Sequence, residues 1–179
     1  MLRILIIIMF FCLSVKADQY DQRLENLFSQ LLITENETKI KTIKLQIWDI
    51  WHETNDPKIN ADFFRGIGLM HNGNLKESIK LFSKVIEKNP NFAEAWNKRA
   101  TVFYMVGEFE KSQKDIDEVL KLENRHFGAL AGQGLVNIKL ENYDKAIKSY
   151  ENVIEIYPSM NSSKIMIKHI KDLIKKQSI

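Results

Sequence analysis

The sequence predicts an all-α fold, a solenoid of stacked helical hairpins in which a degenerate helix pair precedes three regular units and a capping helix follows them. Shifting the chain by 34 residues aligns Gly66, Ala100 and Gly134 in one column and Pro90, Asn124 and Pro158 in another. A period of about that length with a small residue at one fixed slot marks repeated two-helix units. Apolar residues recur at helical spacing on both sides of that column. Three prolines and seven glycines in 179 residues leave most of the chain free to be helical, and no Gly/Ser/Pro-rich stretch marks a linker. The length and the 45% apolar content suit one domain with a continuous core.

Residues 1–17 stand apart from that fold. Arg3 forms a charged start, Ile4 to Val15 an apolar run, and Val15-Lys16-Ala17 a small-residue cleavage pattern, which together predict a secretory signal peptide. The run is shorter than the roughly 18 to 20 apolar residues a spanning helix needs; an uncleaved membrane anchor is the alternative. The expected location is outside the cytoplasm, in a bacterial periplasm. Cleavage leaves 24 basic against 23 acidic residues and removes Cys12, the single cysteine. The mature chain then has no thiol nucleophile and no disulfide framework, and its near-neutral balance gives no case for nucleic acid.

Within residues 18–58, Leu24, Leu27, Phe28, Leu31 and Leu32 predict a first helix. Thr38 is expected to cap a second one, running to about Thr54, with Ile40, Ile43, Ile47, Trp48, Ile50 and Trp51 on its buried side. Asn55-Asp56-Pro57 ends it. Trp48 and Trp51 are expected to seal this pair against the first repeat, with a peptide-gripping aromatic patch as the alternative.

The regular units fall at 59–92, 93–126 and 127–160, each with a helix A, a tight turn and a helix B. Gly73 and Gly107 suit the positive φ of the first two turns. The third has Glu141 at that place, so Asn142 is expected to take the left-handed conformation. Pro90 and Pro158 close two of the B helices, and Asn124 must supply a side-chain cap in the other. Residues 161–179 place Ile165, Met166, Ile170, Leu173 and Ile174 on one side and lysines on the other, as a cap for the last repeat. The lysine face Lys164, Lys168, Lys171, Lys175, Lys176 reads as the solvated side of that cap, with contact to a membrane surface as the less favoured reading.

These columns resemble the tetratricopeptide repeat. Unit two supplies Trp96, Ala100, Phe103, Ser112 and Ile116; unit three Leu130, Gly134, Ala146, Tyr150 and Pro158; unit one Gly66, Leu69, Ser78, Phe82 and Pro90. Asp62, Arg65, Arg99, Gln133, Asn137 and Asn124 depart from the pattern. The whole chain is similar to bacterial exported repeat proteins with a two-helix lead. The resemblance implies a right-handed superhelix whose concave face holds a peptide or partner helix. It implies that Gly66, Ala100 and Gly134 let helix A approach helix B, where a larger side chain would overpack, and that Trp96 packs at the centre of the array.

The groove slots this resemblance assigns include Phe63, Ile67 and Met70 on the first A helix, Glu94, Asn97, Thr101, Tyr104 and Met105 on the second, and Gly128, Ala131, Leu135, Ile138 and Lys139 on the third. The lining is mainly apolar and suits an amphipathic helix or extended apolar peptide. Family members that clamp a terminal carboxylate carry lysine and asparagine where this chain has Phe63 and Ile67, so no such clamp is expected. The bland alternative is that these side chains pack among the repeats. No catalytic residue, cofactor or small-molecule substrate is indicated. His52, His71, His126 and His169 lack metal-ligand spacing and are expected to be exposed or capping. Asp115/Asp117 and Glu108/Glu110 are expected on solvated faces.

Overall fold

A computed structural model describes residues 19–177, so the expectations for residues 1–17 lie outside the described residues. Among the described residues there are nine helices and no strand. The lead hairpin is α1 (Arg23–Ile33) and α2 (Glu37–Trp51). Three A/B pairs follow, α3 (Pro57–His71) with α4 (Leu75–Lys88), α5 (Ala93–Met105) with α6 (Phe109–Leu122), and α7 (Phe127–Lys139) with α8 (Tyr143–Ile156). The last helix is α9 (Asn161–Gln177). From α3 onward each helix packs on the next, and the A helices also touch in series, α3 on α5 and α5 on α7.

The repeated small residues answer to one contact. A Cβ added at Gly66 would stand 2.7 Å from the Phe82 ring, and one at Gly134 would stand 2.5 Å from the Tyr150 ring. Beside that approach, the Ser78 and Ser112 hydroxyls donate to the Gly66 and Ala100 carbonyls at 2.9 and 2.8 Å. These bonds tie helix B to helix A in the first two units; the third has buried Ala146 at that slot. Trp96 bridges neighbouring units, packed against both the Phe63/Phe82/Phe92 core and the Ala100/Ile116/Val119 core. Its Nε1 donates to the Pro90 carbonyl at 2.9 Å. Ile170 of α9 is fully buried against Ala146 and Tyr150.

Local details differ from the expectations in ways that capping chemistry explains. The N-cap of α2 is Asn36, whose Oδ1 accepts from the Lys39 N–H at 3.0 Å, not Thr38. That helix stops at Trp51, and Asp56-Pro57 begins α3: Asp56 Oδ1 accepts from the Lys58 and Ile59 N–H groups at 2.8 and 3.2 Å, while the proline occupies the first turn, where it has no hydrogen bond to lose. In the turns, Gly73 and Gly107 have φ of 75° and 81°, and the third left-handed residue is Glu141 at 59° rather than Asn142. The turn geometry is thus kept and the position absorbs about 1 to 2 kcal/mol of strain. After α6 the capping side chain is Glu123, which accepts from the Arg125 N–H at 3.0 Å and from its guanidinium at 2.9 Å; Asn124 is exposed.

The larger difference concerns the lead hairpin. It forms, but it does not stack on the first unit as a degenerate repeat. Its core residues Leu24, Phe28, Leu31, Ile43, Ile47 and Trp51 share one cluster with Phe127, Leu130, Val153 and Tyr157 of the third unit. Gln19 bonds the Asn91 carbonyl and the Ala93 N–H between α4 and α5. Arg125, between α6 and α7, reaches Glu25 of α1 at 2.8 Å and stacks on Phe28. The hairpin therefore lies across the repeats, with its tip at the α8–α9 junction and the end of α2 at the first unit. Trp48 and Trp51 seal it against His126 and Phe127, not against the first repeat.

Candidate functional site

α2 crosses the A helices near their N-terminal ends. Trp48 lies over Gly128, where an added Cβ would meet its ring at 2.7 Å. His52 approaches Glu94 at 3.2 Å and packs beside Phe63. Behind it, Asn60 exchanges hydrogen bonds with Thr54 in the link to α3. Ala131 packs on the hairpin core. The first half of each A helix, expected to line an empty groove, is thus occupied by the chain's own helix.

Glu94 anchors that arrangement. It is fully buried, sits in the first turn of α5 where the helix dipole favours a negative charge, and is ringed by donors. Asn97 Nδ2 and His126 Nε2 lie 2.8 Å from Oε2, and Lys98 Nζ lies 2.7 Å from Oε1. His126 Nδ1 accepts from the Ala129 N–H at 3.0 Å and caps α7, so the proton resides on Nε2, which donates to Glu94. Burial pushes the Glu94 carboxyl up, but the Lys98 charge, the His126 hydrogen bond and the close approach of His52 outweigh it and hold the group well below the usual carboxylate range. His126 is thus a capping histidine, as expected, but a fully buried one stacked on Trp51 at 4.0 Å.

The groove candidates divide accordingly. Phe63 is fully buried between Phe82 and Phe92 and is a core residue, not a partner contact. Asn97 is 7% exposed and committed to Glu94. Ile67 and Met70 pack on the first-unit core, and Ile138 packs toward α8 and α9. Thr101 is exposed, Tyr104 is half-buried against Phe109, and Leu135 and Met105 are 39% and 51% exposed. Between α5 and α7 a cavity of about 80 Å3 opens among Thr101, Tyr104, Gly132, Leu135 and Val136. The open part of the concave face is therefore the C-terminal half of α5 and α7.

Three features escaped sequence reasoning. Phe64 and Leu45 are 48% and 51% exposed; Leu45 lies three residues before Trp48 and so on the neighbouring α2 surface. Asp115 is buried in a two-pronged pair with Arg99, at 2.7 and 2.8 Å, rather than solvated. Arg99 also bonds Ser83 of α4 and stacks on Trp96, which explains a charged residue at a repeat slot that favours apolar ones. The spacing of Glu94, Asn97 and Lys98 on one helical face was the available signal for the anchor cluster. Among the described residues no group of three or more His, Cys, Asp or Glu side chains is placed to hold a metal.

Tetratricopeptide repeat models match residues 81–114 and 128–160. A TPR repeat-containing protein of Rhizobium etli is 32% identical over 138 residues, spanning 77% of this chain and 68% of that protein. The chain belongs to the tetratricopeptide repeat family. Hsp70-Hsp90 organizing protein 3 of Arabidopsis thaliana is 24% identical over 94 residues, which is 52% of this chain but 17% of that longer protein. The first TPR of Spaghetti (RPAP3), solved bound to the HSP90 peptide SRMEEVD, superposes with a TM-score of 0.64 at 19% identity, covering 66% of this chain and 94% of that one. This last likeness is one of fold.

Proposed function

We propose that this repeat protein is an exported, non-catalytic scaffold that receives a short apolar segment, an amphipathic helix or extended peptide, on the open half of its concave face. The observation that carries the reading is the pair of large apolar side chains exposed on adjacent A helices, Leu135, which lines the α5–α7 cavity, and Met105, which follows the lining residue Tyr104. Thr101 and Tyr104 complete the surface, with Ile67, Met70 and Ile138 supporting its flanks. Solvent-facing apolar groups on a rigid concave wall are disposed to give up water to a partner. The Spaghetti domain carrying an HSP90 peptide supports peptide binding as the use of the shared fold. Where relatives clamp a carboxylate this chain has buried Phe63 and packed Ile67, so the favoured ligand is apolar rather than an acidic chain end.

A peptide display selection on the immobilised protein tests this. Enriched sequences should carry apolar anchors at helical or alternate spacing, and Leu135→Arg with Thr101→Arg should weaken them at least about tenfold, or 1.4 kcal/mol, with helicity unchanged. Enrichment of acidic carboxyl termini, or binding indifferent to the double substitution, would refute the assignment.

A further inference from the structure

The end of the molecule opposite Glu94 carries an independent surface. Ile33 and Ile165 are 79% and 66% exposed, more than the other exposed large apolar residues, and Leu32 is 51% exposed. Leu32 and Ile33 border an open cavity of about 680 Å3 between the hairpin tip and the α8–α9 junction; Lys41, Lys44 and Lys164 also line it, together with Glu35 and Glu37. Ile165 follows Lys164 directly. From there Lys164, Lys168, Lys171 and Lys175 recur four, three and four residues apart, a single stripe along α9 about 16 Å long. All four are exposed, and among the described residues none has an ion-pair partner. On the B helices, Lys80, Lys84, Lys88, Lys111 and Lys121 are paired while Lys76, Lys114 and Lys145 are not; what sets α9 apart is that its unpaired lysines form one continuous stripe.

We infer that this end is a docking surface for an anionic membrane, with Leu32, Ile33 and Ile165 entering the headgroup boundary and the α9 lysines facing the lipid phosphates. Branched aliphatic residues at a projecting helix tip insert into a soft interface without a complementary pocket. Lys41, Lys44 and Lys164 stand beside them at the cavity and supply attraction to anionic headgroups within a Debye length of the surface, and the rest of the row extends it along α9. Glu35 and Glu37 lie at the cavity and Asp172 on the flank of α9; the lysines outnumber them. Long lysine stems also let the ammonium groups reach upward while the apolar tips go deeper. This surface is separate from the α5–α7 groove.

Vesicle sedimentation tests it, using the chain from Gln19 onward because the apolar run of residues 4–15 partitions into lipid by itself. The four cores lie within residues 24–174, and far-UV circular dichroism verifies the fold. The chain should bind vesicles containing about one phosphatidylglycerol in three lipids and leave those of phosphatidylcholine alone, and about 1 M salt should release it. Ile33→Asp with Ile165→Asp, or Lys164→Glu with Lys168→Glu, should each lower the partition at least about tenfold, whereas Leu135→Arg should not change it. Equal binding to neutral vesicles, no binding, or variants that bind like the parent would overturn the inference. Retention on polyglutamate that persists in the Ile33/Ile165 variant would overturn it in favour of an acidic protein partner.

Discussion

Replacing Glu94 by alanine would strip one common partner from four groups at once. His126 and Asn97 are largely enclosed, 0% and 7% exposed with Asn97 at the edge of the α5–α7 cavity, whereas the Lys98 and His52 side chains retain 18% and 25% exposure and can turn outward. A stranded buried donor costs about 1 to 3 kcal/mol, so the two enclosed groups account for about 2 to 6 kcal/mol. Breaking one side of a buried charged pair typically costs about 3 to 5 kcal/mol, and the two routes agree on a loss near 4. That is a large share of the roughly 5 to 15 kcal/mol that holds a domain folded. Glu94→Gln keeps the shape and one acceptor and should cost about 1 to 3 kcal/mol.

Urea unfolding followed by circular dichroism reads both substitutions, and its pH dependence adds a second test. Because the folded-state pKa of Glu94 is depressed, its contribution is fully present above the ordinary value of 4.5 and is lost as pH falls below it. The parent should therefore lose stability more steeply than Glu94→Gln below that pH. An alanine variant within about 1 kcal/mol of the parent, or identical acid slopes, would show that Glu94 does not hold the hairpin and the repeats together.

Gly134→Leu should lose about 1 to 3 kcal/mol or more by driving a side chain into the Tyr150 ring, while Gly68→Ala, with open space around its Cβ position, should gain about 0.5 to 1 kcal/mol in the middle of α3; thermal unfolding distinguishes them. Trp96→Ala should cost about 3 kcal/mol, the low end of the range for a large aromatic because the ring is only partly buried, and should shift a single unfolding transition of the whole array. Gly128→Leu should lift α2 from the groove by displacing Trp48, which limited proteolysis would detect as new cleavage near residues 34–56, and adding Trp48→Ala should suppress it. N-terminal sequencing tests the proposed export: the product should begin at Asp18, and intact Met1 on a membrane product would favour the anchored alternative.

The repeat array was legible because its determinants are local and periodic. Gly66, Ala100 and Gly134 recur at one slot because each faces a bulky B-helix side chain, and Gly73 and Gly107 recur because the turn demands positive φ. The path of the lead hairpin was not legible, because helical periodicity in Ile40, Ile43 and Ile47 shows that a face is buried without showing what buries it. The same limit explains Phe63 and Asn97. Their slots are groove-facing in a bare repeat, but Phe63 is claimed by Phe92, 29 residues on, and Asn97 by Glu94, a neighbour on its own helix whose burial depends on the distant His126. Asp115 escaped for a related reason, since its partner Arg99 lies 16 residues away on the facing helix.

The hairpin also changes what the concave face offers. Left bare, the groove would present Glu94, Gly128 and Ala131, one buried-type acid beside two positions that lack large side chains, which is a poor anchor for a peptide. With α2 in place, Trp48 fills the space over Gly128, and Lys98, its Nζ 5.2 Å from the Trp48 ring centre, neutralises Glu94. The price of desolvating that carboxylate is then offset within the chain, not by a ligand. An incoming segment would meet Thr101, Tyr104, Met105 and Leu135, with Lys139 exposed one turn beyond Leu135, so the wall offers apolar contact and no unpaired acid that a ligand must satisfy. The apolar character of the proposed ligand follows from the intramolecular pairing of Glu94 as much as from the exposed Leu135.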